Sequence, residues 1–351
     1  MIKNNWTTYK NGNYTVTINK NNGTQIKSTI NPDDTEFLPE FPDHMDIKIS
    51  NRCKYGCRMC HEKSVPDGEL SKLIISIEHQ IEKPEGMHDF DFYHYFFKTL
   101  TPGTELALGG GAVTEHPDLE KFLILLNERG ILANITVNIR EYKDNEEFIN
   151  KLVQENLVKG LGVSWNDYMT TSESMILWKR ILKNPRVVIH IIAGLVNTVT
   201  FDKFLAELKQ DGIVPKILVL GYKNYGRAEQ IWNEYPEECK RNINDFGKWL
   251  SNNHERFRLI SFDNLALQQL DLIKLGIATQ KDFDEGYQGD DKSISSASGY
   301  VDLVKEEFAI SSTSRERFKL DKEMKIKDIF NKLLEERQRL TGGNIDEENK
   351  K

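Results

Sequence analysis

The sequence predicts an α/β fold: a partial (β/α)6-type TIM barrel with a small N-terminal β-hairpin and a C-terminal hairpin-plus-helix extension. Three observations predict it. Over residues 45–265, strand-sized and mostly apolar runs alternate with stretches of helical periodicity, which implies a parallel sheet covered by helices. The unit recurs six or seven times, which suits a full or partial barrel better than an open doubly wound sheet. Residues 1–44 and 266–340 break that rhythm, and 341–351 are polar and charged, the composition of a disordered tail.

The N-terminal segment is rich in Asn, Thr and Lys. Tyr14 to Ile18 alternates at period two, Asn21-Asn22-Gly23 supplies a turn, and Thr24 to Ile30 reads as the return strand. This hairpin is expected to cap the bottom of the barrel. Asp46 to Ser50 is the first barrel strand and Thr104 to Leu108 the second. Pro117 then opens a helix whose apolar residues Leu119, Phe122, Leu123 and Leu126 share one face, with Gly130 as its stop. Strands follow at Ile131 to Val137, Leu157 to Trp165, Arg186 to Leu195, Lys216 to Leu220 and Phe257 to Phe262. Between them lie helices over Asn145 to Asn156, Ser172 to Leu182, from the capping Thr200 onward, and around Asn242 to Leu250. Gly299 to Val304 and Phe308 to Ser311 form a hairpin expected to close the barrel, and Ile326 to Leu340 an amphipathic closing helix.

With 351 residues, 38% hydrophobic and 29% charged, the chain is long enough for one large barrel with appendages. No apolar run reaches membrane-spanning length. A net charge of −7 provides no overall basic field, which disfavours a nucleic acid as partner. There is no signal peptide and cysteine is sparse, as suits a reducing cytoplasm.

Three of the four cysteines fall within eight residues, as Cys53-Lys54-Tyr55-Gly56-Cys57-Arg58-Met59-Cys60, a C-x3-C-x2-C spacing directly after the first barrel strand. Clustered thiolates suit a shared metal, and iron–sulfur clusters are held at short spacings of this kind. A 4Fe–4S cluster on three thiolates keeps one iron open for a small molecule. Structural zinc is the competing reading, but it needs four closed ligands: His61 is badly placed beside Cys60, and Cys239 is remote in sequence. Cys239 itself reads as a surface thiol, a hydrogen donor to a substrate radical, or a residue without a role.

A C-x3-C-x2-C loop after the first strand of a βα barrel resembles the radical S-adenosylmethionine (SAM) superfamily. Leu108-Gly109-Gly110-Gly111-Ala112-Val113-Thr114-Glu115-His116-Pro117-Asp118-Leu119, about fifty residues on, is similar to that family's glycine-glycine-glutamate-proline segment. The likeness covers roughly residues 45–265. It implies a 4Fe–4S cluster on Cys53, Cys57 and Cys60, with the open iron chelating SAM. It further implies reductive cleavage of SAM to a 5′-deoxyadenosyl radical that takes hydrogen from a substrate. The resemblance assigns cofactor contacts to Met59, near the adenine; to Gly110, Gly111 and Ala112, beside the methionyl group; to Ser164 and Asn166, on the ribose; and to Lys223, for a carboxylate.

The sequence departs from the family at Ala112 and Val113, where the glutamate and proline would stand. Glu115 can take the carboxylate's place, or it simply serves the helix N-terminus. His190 reads either as a core histidine or as a cofactor contact, and Lys223 or Arg227 as anion binders or solvated loop charges. Asp263 and Asn264 can face substrate. The C-terminal hairpin resembles a stripped auxiliary-cluster domain, since Ser311-Ser312-Thr313-Ser314 stands where cysteines would follow. From that likeness the leading substrate is a peptide or protein, with a nucleotide or small metabolite as the alternative and a reductant such as flavodoxin or ferredoxin as partner. A non-catalytic zinc-binding interaction protein is the rival of another class.

Overall fold

The computed structural model describes residues 6–21, 23–66, 90–165, 172–286, 291–321 and 323–341. Asn166 lies outside the described residues, as does the tail expected over 341–351 except Thr341, which ends a helix. The main sheet has ten strands. In chain order its parallel strands are β4 (His44–Ser50), β5 (Glu105–Gly110), β6 (Leu132–Asn138), β7 (Gly160–Ser164), β8 (Val187–Ile192), β9 (Lys216–Leu220) and β10 (Leu259–Phe262). β11 (Ser298–Asp302), β12 (Glu307–Ala309) and β13 (Phe318–Lys319) complete it, in the spatial order β10-β9-β8-β7-β6-β5-β4-β11-β12-β13.

The register separates the two faces of this sheet. Met45, Ile47 and Ile49 of β4 fall on the same face as Leu106 and Leu108, Ile135 and Val137, Leu161 and Val163, Ile189 and Ile191, and Ile217 and Val219. All are buried in one core with the helices. These helices are α1 (Phe90–Phe97), α2 (Leu119–Glu128), α3 (Ile139–Asp144), α4 (Glu146–Gln154), α5 (Ser172–Ile181), α6 (Thr198–Gln210), α7 (Gly226–Glu234) and α8 (Pro236–Ser251). The other face carries His44, Asp46 and Lys48, then Glu105 and Gly109, Asn134 and Asn138, Gly162 and Ser164, and His190. Residues two apart share a face of a strand, so one polar residue in two along β4 is enough to build a polar face opposite the apolar one.

Two expectations are corrected. The N-terminal unit is a three-stranded antiparallel sheet, not a hairpin: β1 (Trp6–Asn11), β2 (Tyr14–Asn19) and β3 (Gln25–Thr29). Trp6 to Asn11 lacks a second apolar partner at period two, so its strand character comes from pairing with β2 along its whole length. The sheet lies against the N-terminal ends of β5, β6 and β8. Gln25 Nε2 donates to Glu105 Oε2 (3.3 Å), Leu132 joins the cluster of Tyr14, Val16 and Ile18, and Arg186 Nη2 donates to Asn21 O (3.3 Å). Tyr14 OH donates to Asp43 Oδ2 (2.6 Å), which ties the cap to the residue preceding β4.

The C-terminal hairpin is present, but it extends the sheet instead of closing it. β11 pairs in parallel with β4, β12 and β13 follow antiparallel, and β13 does not reach β10 among the described residues. α9 (Asn264–Gln269) and α10 (Gln280–Gly286) precede this hairpin, and α11 (Ile326–Thr341) follows it, burying Ile329, Phe330 and Leu333. Helix α8 begins at Pro236, a residue suited to a first helical turn.

Candidate functional site

The cysteine loop leaves the C-terminal end of β4 and is built into the end of β5. Gly111 N donates to Ser50 O (2.7 Å) and Ala112 N to Arg52 O (2.8 Å). A Cβ on Gly111 would lie 2.0 Å from Arg52 O, and one on Gly110 2.4 Å from Ser50 O, with Gly110 at φ +110°. These two glycines therefore admit the chain's own cysteine loop, while nothing lies within 4 Å of a Cβ on Gly109, on the polar face. The sequence reading passed over Gly109 because its open side is visible only once the register is known. Ala112, where a carboxylate was expected, is fully buried against Cys53 and Tyr55.

Cys53 is buried, and Cys57 and Cys60 are half-buried. Cys53 N donates to Val65 O (2.9 Å) and Cys60 N to Cys57 O (3.2 Å), so the loop is folded back on itself. Burial pushes the Cys53 thiol up to about 11, and the nearby Cys57 and Cys60 thiols add to this. Arg140 Nη2 donates to Tyr55 O (2.6 Å) and lies 3.7 Å from Cys57 Sγ, with its guanidinium over the Tyr55 ring. Arg227 Nε donates to Cys57 O (2.8 Å) and Nη1 to Ser64 O (3.0 Å). Neither arginine was recognised as part of this loop from the sequence, since they follow β6 and β9.

Around this loop the buried Arg52 Nε, Arg140 Nε and Arg227 Nη2 have no hydrogen-bond partner among the described residues. Buried donors left over beside three thiols fit an anionic group carried by the loop. No three His, Cys, Asp or Glu among the described residues are arranged to hold a single metal ion. A cubane takes one thiolate on each of three irons, so its ligands need not converge on one point. Cys239 lies elsewhere, buried in α8 against Tyr222.

The remaining expected residues divide. Met59 is half-buried against the main core. Ser164 ends β7 on the polar face, level with Asn138 and His190. Lys223 Nζ donates to Ser312 Oγ (2.9 Å). Glu115 Oε1 accepts from Lys54 N (3.3 Å), which ties it to the cysteine loop. Asp263 caps α9 and accepts from Gly221 N (2.9 Å), and Asn264 donates to Asp291 Oδ1 (2.7 Å). Asp263 thus ties the ends of β9 and β10 together, and Asn264 ties the start of α9 to the segment before β11.

Three further features complete the site, and of these the sequence indicates only His190. Glu141 of α3 is buried and accepts from Thr114 N (3.0 Å) and Thr114 Oγ1 (2.8 Å) behind the glycine segment. Desolvation raises its carboxyl to about 7. His190 lies over Gly162, where a Cβ would meet its ring at 2.3 Å, and burial lowers its imidazole to about 4. Lys48, on the polar face, is buried between Glu62 (2.7 Å) and Asp302 (3.3 Å), which keep it charged despite desolvation.

No protein-family model matches the chain, and no curated protein matches it. Solved structures do. SuiB of Streptococcus suis bound to the precursor peptide SuiA superposes with a TM-score of 0.55 at 11% identity, covering 93% of this chain and 87% of that one. SuiB bound to S-adenosylmethionine gives 0.54 at 12% identity, over 94% and 88%. SuiB alone gives 0.55 at 13%, over the same shares. The chain therefore shares its fold with SuiB. In this chain the cysteine loop and the glycine segment stand side by side at the C-terminal ends of β4 and β5. No described helix is long and apolar enough to cross a membrane.

Proposed function

We propose that this chain is a radical SAM enzyme that modifies a peptide, with a 4Fe–4S cluster on Cys53, Cys57 and Cys60. The observation that carries the reading is the hydrogen-bonded junction of the cysteine loop with Gly111 and Ala112, on a fold shared with SuiB over nearly the whole chain. When bound, the cluster supplies the electron that cleaves SAM and so generates the hydrogen-abstracting radical. The chain's residues do the rest. Arg140 and Arg227 hold the loop, Met59 adds apolar surface beside the third cysteine, and Gly109 leaves the polar face open. The backbone of Gly110 and Gly111, with Ala112 packed behind them, would hold the cofactor's methionyl end, and Ser164, with Asn166 beyond the described residues, would hold its ribose. Lys223 meets a carboxylate.

The polar face is the inner wall of a partial barrel in this reading. Along a flat sheet, β4 and β9 would stand five spacings of about 4.8 Å apart, roughly 24 Å. Yet the segment after β9 bonds to the loop after β4 through Arg227, which supports a rolled sheet. The peptide assignment draws support from SuiB, whose solved complex holds a precursor peptide. A cytoplasmic setting and a reductant such as flavodoxin or ferredoxin complete the proposal. Anaerobically purified and reconstituted protein should be brown and should cleave SAM to 5′-deoxyadenosine on reduction, and Cys57→Ala should lose both properties. A colourless protein with stoichiometric zinc, or an unimpaired Cys57→Ala variant, would overturn it.

A further inference from the structure

The segment joining β9 to α7 makes bonds at both of its ends. Three carbonyls of the cysteine loop converge on one residue: Arg227 N donates to Cys60 O (2.9 Å), Nε to Cys57 O (2.8 Å) and Nη1 to Ser64 O (3.0 Å). Gly226, at φ +63°, makes the approach possible, since a Cβ there would lie 2.4 Å from His61 O and 2.6 Å from Cys60 O. Two residues upstream, the same segment grips the Ser-rich turn after β12. Tyr225 OH donates to Thr313 O (2.5 Å), and Lys223 Nζ to Ser312 Oγ (2.9 Å).

We propose that residues 223–227 form a strap that presets the cysteine loop, with Arg227 as its positioning residue and the Ser311–Ser314 turn as its anchor. The physical reason is the donor geometry. A guanidinium offers several N–H groups in a rigid fork, so one side chain can hold carbonyls seven residues apart at fixed spacing, which a lysine ammonium cannot. Each charge-assisted bond is stronger than a neutral one. Loop opening must break several at once, so the loop's opening equilibrium depends on the strap. The Ser-rich turn gains a role here: its hydroxyl and carbonyl oxygens terminate the strap.

The test needs neither cluster nor SAM, so its failure is separable from failure of the functional reading. Amide hydrogen exchange would be followed by mass spectrometry on the full-length, metal-free chain. In Arg227→Gln, peptides covering residues 57–65 should exchange at least roughly ten-fold faster, from the loss of more than one charge-assisted bond, while α8 stays within about two-fold of the parent. Tyr225→Phe should accelerate both the 311–314 turn and the cysteine loop, by less. Arg227→Lys should fall between parent and Gln. If Arg227→Gln does not fold, Arg227→Lys and Tyr225→Phe decide the matter. Unchanged loop exchange in the folded variants, or equal acceleration in α8, would overturn the strap.

Discussion

Gly111→Ala is the sharpest test of how the two motifs are joined. The added methyl would be placed 2.0 Å from Arg52 O, 2.8 Å from Arg52 C and 3.0 Å from Arg52 N. All three obstacles are backbone, so no side-chain rotation relieves them. Relief requires the β5 end to part from the cysteine loop. Overpacking of this kind costs typically ~1–3 kcal/mol. Parting also loses the Ala112 N to Arg52 O bond, worth about 1 kcal/mol. The expected destabilisation is thus roughly 2–4 kcal/mol. Gly109→Ala is the control, because its methyl would meet nothing within 4 Å. It should stay within about 0.5 kcal/mol of the parent, apart from the helix-independent entropy gain of losing a glycine. Urea denaturation of the metal-free protein gives both values, read as shifts in midpoint at constant slope. Equal midpoints for the two variants would refute the reasoning. If Gly109→Ala were the more damaging of the two, the register of β5 would itself be wrong.

Two further outcomes are expected. Lys48→Met should cost about 3–5 kcal/mol, because it leaves the buried Asp302 and Glu62 carboxylates without their cation; a loss below 1 kcal/mol in the same urea assay would contradict the buried pairing. His190 has its imidazole lowered to about 4 against an ordinary 6.5. Between those values the unfolded chain binds more protons than the folded one, so this residue makes stability rise with pH over pH 4–6.5 and fall on acidification. His190→Asn should flatten that limb of the stability–pH curve, and an unchanged slope would show that the ring is not desolvated.

Much of the strand–helix rhythm could be read from the chain because apolar periodicity is a local property. Leu119, Phe122, Leu123 and Leu126 mark α2 wherever it packs. The cysteine spacing and the triple glycine are equally local. Other elements were illegible for the converse reason. α3 and α7 are short and polar, and α7 begins inside a segment that reads as a loop. β1 is a strand because β2 lies beside it.

What the sequence alone determined is therefore the set of elements that bury apolar surface and the three thiols that share one loop. What only the tertiary structure decided is who surrounds them. Arg140 and Arg227 reach Cys57 from 83 and 170 residues away, and Glu141 reaches Thr114 from 27. Gly110 and Gly111 fit the loop's own backbone, and β11 adds to the edge of β4 instead of meeting β10. The reason is physical: periodicity states that a face is buried, whereas hydrogen-bond partners and close approaches are set by which strands lie side by side, and that is a property of the assembled sheet.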